Sequence, residues 1–153
     1  FFRRHLTGAM VQVVECDPRV VTAARDHFFL PPDGSRLKVE IGDGAKSLSP
    51  ECCDTLLLDG FDDGEQVKSL ASAAFYRRAR EALGEQGVMA VNYLGDDKRL
   101  DDYLVRLEQA FSGAVVCLPA SASSSRSPAP HWSTPRCSCW MRPRATSTRA
   151  PRC

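Results

Sequence analysis

Val11-Gln12-Val13-Val14-Glu15-Cys16-Asp17-Pro18-Arg19-Val20-Val21 carries a strand, a charged strand end and a helix start in eleven residues. The valines at 11, 13 and 14 favour an extended chain that ends at Glu15. Asp17 stands where an N-cap belongs, and Pro18 where a helix takes its first residue. Val20, Val21, Ala24 and Phe28 recur at helical spacing, which predicts a helix over 18–29. Leu30-Pro31-Pro32-Asp33-Gly34 then stops it and turns the chain.

The same alternation continues downstream. Leu37 to Ile41 alternates apolar and charged residues and runs into Gly42-Asp43-Gly44, a second strand and its turn. Thr55-Leu56-Leu57-Leu58 is a continuous apolar strand, expected to be buried on both faces, that ends at Asp59. Val67, Leu70, Ala71, Ala74 and Phe75 begin a helix reaching Leu83, with Gly84 at its end. Gly87 to Val91 is the next buried strand. Asp96 or Asp97 caps a helix that carries Leu100, Tyr103, Leu104, Leu107 and Phe111, and Ala114 to Leu118 is a last strand. Strand, helix, strand, helix is the order of an α/β protein, a parallel sheet with helices on its faces. Such sheets bind ligands beyond the carboxyl ends of their strands. Glu15, Asp43 and Asp59 stand at three successive strand ends, which points to one shared site.

Each acid suits a role in binding a nucleoside and an amine. A carboxylate at a strand end accepts hydrogen bonds from both hydroxyls of a ribose, the role that fits Glu15. Asp43, between two glycines, sits in a tight turn where an acid accepts from an adenine amino group or serves the turn itself. Asp59 to Glu65 reads D-G-F-D-D-G-E, a negative mouth that favours a cation. Asp59, fixed by its strand and partly desolvated there, is the candidate base. Asp62, three residues on, would align the amine. Asp63 and Glu65 also read as acids at an exposed helix start.

The 153 residues suffice for one domain. No apolar run approaches the roughly 20 residues of a bilayer span, and no signal peptide is visible. A start at Phe1 without Met suggests a chain that begins mid-protein. Seven cysteines, an odd number, with no secretion signal argue against a disulfide framework and for free thiols in the cytoplasm. Cys137-x-Cys139 near His131 lacks a second pair at finger spacing, so zinc is not expected.

The net charge of +1 hides two halves. Residues 121–153 hold eight Ser, six Arg and five Pro, with no Asp, Glu, Lys, Val, Ile, Leu or Phe. They carry +6, and residues 1–120 carry −5. Residues 119–153 therefore read as a disordered basic tail. Its abrupt onset after a good strand matches the out-of-frame translation of a GC-rich gene. A basic arm for nucleic acid is the weaker reading, because no recognition motif accompanies the charge.

Val13-Val14-Glu15-Cys16-Asp17-Pro18-Arg19-Val20-Val21, Leu30-Pro31, Arg36-Leu37-Lys38-Val39, Gly42-Asp43-Gly44 and Asp54-Thr55-Leu56-Leu57-Leu58-Asp59 resemble the spermidine synthase family of polyamine aminopropyltransferases. Phe75-Tyr76-Arg77-Arg78, Ala82-Leu83 and Gly87-Val88 extend the resemblance, which covers residues 1 to about 118. It implies the Rossmann-like fold of the class I S-adenosylmethionine-dependent methyltransferase superfamily. The implied reaction moves an aminopropyl group from decarboxylated S-adenosylmethionine to a diamine such as putrescine, without a metal. Glu15, with Cys16 beside it, would hold the ribose; Asp43 and Gly44 would face the adenine; Asp59 would be the base and Asp62 would complete a D-x-x-D. A methyltransferase using S-adenosylmethionine is the alternative, since Glu15 and Asp43 serve either. A non-catalytic remnant is the third reading, and homodimerisation is left open.

The departures concern the ends and the motif after Asp59. The family's first strand and glycine-rich loop should precede Phe1, with Phe1 to Leu6 as the helix that follows. The amine-binding N-terminal β-domain should lie upstream as well. Gly60-Phe61-Asp62-Asp63 replaces the family's hydroxyl residue and D-P pair, which suggests a divergent branch with a different acceptor, and Asn92 falls near a position where many synthases carry Gln. The absent strand belongs between those ending at Glu15 and Asp59. Without it their backbone groups need other partners, and a marginal, aggregation-prone fragment is expected unless the two strands pair directly.

Overall fold

The structure is a computed structural model that describes residues 5, 7–62, 65–94, 97–112, 114–119 and 136–141. Side chains are not described for Asp62, Leu94, Pro119 and 136–141. The chain divides into two compact units, Phe1–Ser47 and Leu48–Cys153.

In the first unit, β1 (Val11–Glu15) lies parallel to β2 (Leu37–Ile41), in register from Val11↔Leu37 to Glu15↔Ile41. A parallel pair needs a crossover, and α1 (Pro18–His27) supplies it. The Asp17 side chain accepts the Arg19 N–H at 2.8 Å, so the helix starts where the sequence places its cap. It ends through Phe29 at φ +57°, with Leu30 N–H reaching back to Ala24 O at 3.0 Å. Leu37 is the one core residue of this unit among those described, and α1 has no buried residue.

In the second unit the sheet order is β3 (Thr55–Leu58), β6 (Val88–Leu94), β8 (Arg136–Met141), β7 (Val115–Pro119). β3 is parallel to β6, whereas β8 runs antiparallel between β6 and β7. A small ribbon, β4 (Phe61–Asp62) against β5 (Glu65–Gln66), follows β3. A 3₁₀ turn (Lys68–Ala71) leads into α2 (Ala73–Ala82), and α3 (Leu100–Phe111) follows β6. Ser72 caps α2 by accepting the Phe75 N–H at 3.1 Å.

The core lies between α2, α3 and one face of β6. Met89, Val91 and Tyr93 alternate into it and meet Phe75, Tyr76 and Ala79 of α2 and Tyr103, Leu107 and Phe111 of α3. The Tyr76 and Tyr93 hydroxyls are 2.6 Å apart, and the Tyr93 ring stacks on Tyr103 at 5.5 Å. The described helices of this unit thus cover a single face of β6. Val88, Ala90 and Asn92 on the other face are half-buried.

Two expectations are corrected. β3 is not buried on both faces: Leu58 is buried, but Thr55 is exposed and Leu57 is 52% exposed. Among the described residues it pairs with β6 alone, so one edge and much of its surface lack a neighbour. Of the two acids expected at the start of α3, Asp97 stands two residues before the cap position, Arg99, and its Oδ1 accepts the Arg99 N–H at 2.9 Å, while Asp96 lies outside the described residues. Arg136–Met141, inside the stretch whose composition reads as disordered, forms β8. A strand between two neighbours is held through its main chain, so its composition need not supply a core.

β1 and β3 belong to different sheets and do not pair directly. The outer strand of each sheet therefore has an open side among the described residues.

Candidate functional site

Two clusters stand at carboxyl ends of parallel strands, one in each unit. In the first, Gly42 N–H donates to Glu15 O at 2.9 Å, which closes the β1–β2 ladder and puts Glu15 and the Asp43 turn at the same end of the sheet. Glu15 is half-buried, and its Oε1 accepts the Asp17 N–H at 2.9 Å. That bond orients the carboxylate, which the Cys16 thiol also approaches. Cys16 is exposed, and the neighbouring Glu15 carboxylate raises its thiol pKa.

Asp43 is exposed. Its Oδ1 accepts the Ala45 N–H at 2.9 Å, and its Oδ2 pairs with Lys46 at 3.1 Å. The turn role weighed from sequence is thus present, and an adenine amino group would have to compete with Lys46. That competition is mild, because Lys46 is 82% exposed and such pairs are worth about 0–1 kcal/mol. Gly44 O accepts the Ser47 hydroxyl at 3.0 Å, tightening the same turn.

In the second unit, Leu58↔Val91 is the last register pair of β3 and β6, so Asp59 and Asn92 follow it side by side. Asn92 Nδ2 donates to Asp59 Oδ1 at 2.9 Å. Asp59 is exposed, which corrects the expectation of a desolvated base: the strand that carries it is an edge strand. Its orientation comes from the amide instead. Asp62 lies in β4, where its backbone pairs with Glu65. Asp63, Asp96, His131 and the side chains of Cys137 and Cys139 lie outside the described residues, as do Phe1 to Arg4 and Leu6.

Sequence reasoning missed two features here. Arg99 Nη2 reaches Glu65 at 3.2 Å while its Nε holds Asp97 at 3.1 Å, linking the β4–β5 ribbon to the start of α3. Arg99 holds the Asp97 carboxyl below the usual range. Gln66, in β5, is 3% exposed, and neither amide atom has a hydrogen-bond partner among the described residues. No spacing rule marks either residue.

No protein-family model matches the chain. A polyamine aminopropyltransferase of Chromobacterium violaceum is 32% identical over 123 residues, which are 79% of this chain and 47% of that protein. A polyamine aminopropyltransferase of Neisseria meningitidis serogroup A is 32% identical over 120 residues, 77% of this chain and 46% of that protein. The chain spans about half the length of these curated relatives. Human methyltransferase-like protein 13, solved with SAH, superposes with a TM-score of 0.72 at 19% identity, covering 97% of this chain and 68% of that one. A spermidine synthase solved with the transition-state analogue AdoDATO gives a TM-score of 0.69 at 18% identity, covering 91% and 48%. The two likenesses place the fold among Rossmann-like methyltransferase and spermidine synthase structures. The sequence resemblance to the spermidine synthase family is borne out by the curated relatives.

Proposed function

We propose that this relative of the polyamine aminopropyltransferases bears the nucleoside-binding and base-bearing elements of a cytoplasmic aminopropyl transfer from decarboxylated S-adenosylmethionine to a diamine. The observation that carries the reading is the Asp59 carboxylate, at the end of a parallel strand and aimed by the Asn92 amide. The family relatives support the same reading.

In this reading the Glu15 carboxylate takes the ribose hydroxyls, with Cys16 beside it, and the turn at Asp43 and Gly44 faces the adenine. The acceptor nitrogen attacks the carbon next to the sulfonium. A C–N bond forms, and the C–S bond breaks with its electron pair going to sulfur, which leaves as a neutral thioether. The proton lost from nitrogen goes to Asp59, and Asp62 aligns the amine. A neutral leaving group needs little stabilisation, so positioning and one base carry the rate. No residue in this scheme calls for a metal.

Calorimetry with methylthioadenosine and with S-adenosylhomocysteine tests the reading. Tighter binding of the first is expected. Preference for the second would make the chain a methyltransferase relative in function as well as fold, and no heat with either would make it a remnant.

A further inference from the structure

We infer that Gln66 is a specificity-determining residue whose carboxamide contacts the acceptor amine; the inference rests on the aminopropyl-transfer reading. A buried carboxamide without hydrogen bonds costs stability, because the loss of its hydration goes uncompensated. An apolar side chain of the same length would spare the fold that cost. Gln66 is the one polar residue among those described that is buried, and its Nε2 and Oε1 both lack partners there.

Its place gives the lone amide a use. Gln66 pairs with Phe61 across the β4–β5 ribbon, and Val67 N–H donates to Gly60 O at 3.2 Å beside it. The opposite arm of this hairpin, Phe61–Asp62, begins two residues after Asp59, the candidate base. β5 also packs beside β6, the strand that presents Asn92.

The chemistry selects an amide over an acid. A third carboxylate, beside Asp59 and Asp62, would further stabilise the ammonium form and oppose deprotonation. Oε1 of a carboxamide accepts one N–H, leaves the nitrogen lone pair free to attack, and adds no charge. Contact requires the ribbon to yield. The ribbon has two residues in each strand, so few backbone bonds hold it.

The test is calorimetry and thermal melting of the 153-residue chain with 1,4-diaminobutane as probe, in the presence of methylthioadenosine. Gln66→Met is expected to raise the melting temperature of the unliganded chain and to weaken diamine binding about tenfold, with methylthioadenosine binding unchanged. Gln66→Glu is expected to bind the diamine with a pH dependence displaced from that of the wild type. Equal diamine affinity in wild type and Gln66→Met would overturn the inference, as would a lower melting temperature for Gln66→Met. So would a wild type that binds methylthioadenosine and ignores the diamine, while the aminopropyl-transfer reading of the nucleoside site survived. A wild type that binds neither ligand would end both.

Discussion

The bond from Asn92 Nδ2 to Asp59 Oδ1 leaves an exposed carboxylate with one preferred direction, so in the proposed reaction the base and its aim would be set by different residues. Asp59→Asn is expected to lower aminopropyl transfer by roughly 10²–10⁴-fold. Asn92→Ala keeps the base but frees its rotation, and a fall of roughly tenfold is expected. Steady-state rates, with methylthioadenosine affinity as the unchanged control, check both. Cys53 is half-buried, and burial with Cys52 alongside pushes its thiol up to about 11. At pH 7.5 its thiolate is about one part in 3,000, so mass spectrometry of iodoacetamide-treated chain should find Cys53 the slowest to label of Cys16, Cys52, Cys53 and Cys117. Asp97 is 10% exposed, and its pKa is depressed by Arg99. The stability this contributes is complete above the unfolded aspartate pKa of about 3.9 and disappears as pH falls through the lower folded value. Asp97→Asn should cost about 1 kcal/mol at pH 7 in urea unfolding and flatten that acid limb. Glu15, Asp43 and Asp59 were legible in the sequence because strand ends are. Gln66 was not, because hydrogen-bond satisfaction depends on neighbours that spacing does not reveal.

At the scale of elements, local pattern and tertiary context divide the account. Leu37–Ile41, Thr55–Leu58 and the helix from Leu100 to Phe111 form where alternation and helical spacing place them. Burial did not follow from the same pattern. Thr-Leu-Leu-Leu looks like an interior strand, but Leu57 is half-exposed because β3 has a partner on one side only. β8 escaped composition altogether, since strand pairing draws on backbone groups that every residue but proline has in full. Gly87 shows how tightly the turn between α2 and β6 is made. A Cβ there would collide with the backbone oxygen of Leu83. Gly87→Ala is expected to destabilise the second unit by about 2 kcal/mol or more, read from the midpoint of urea unfolding.

Across the molecule, buried apolar mass is unevenly shared. Among the described residues, the second unit buries residues from α2, β6 and α3, whereas the first buries Leu37 and has a helix with no buried residue. Amide hydrogen exchange should therefore be faster along Pro18–His27 than along Ala73–Ala82 or Leu100–Phe111; equal protection would contradict this unevenness. Among the described residues the outer edges of β1 and β3 have no strand partner, and open edges of this kind favour edge-to-edge association. The sequence made the order of strands legible, but burial depends on which surfaces find a cover, and no single segment encodes that. β8 has one more consequence. It is bonded on both flanks, to β6 and to β7, while the polypeptide reaches it only through residues 120–135. A single tryptic cut after Arg126 would sever the chain without releasing the piece: native gel filtration would elute one species, and only denaturing electrophoresis would resolve two.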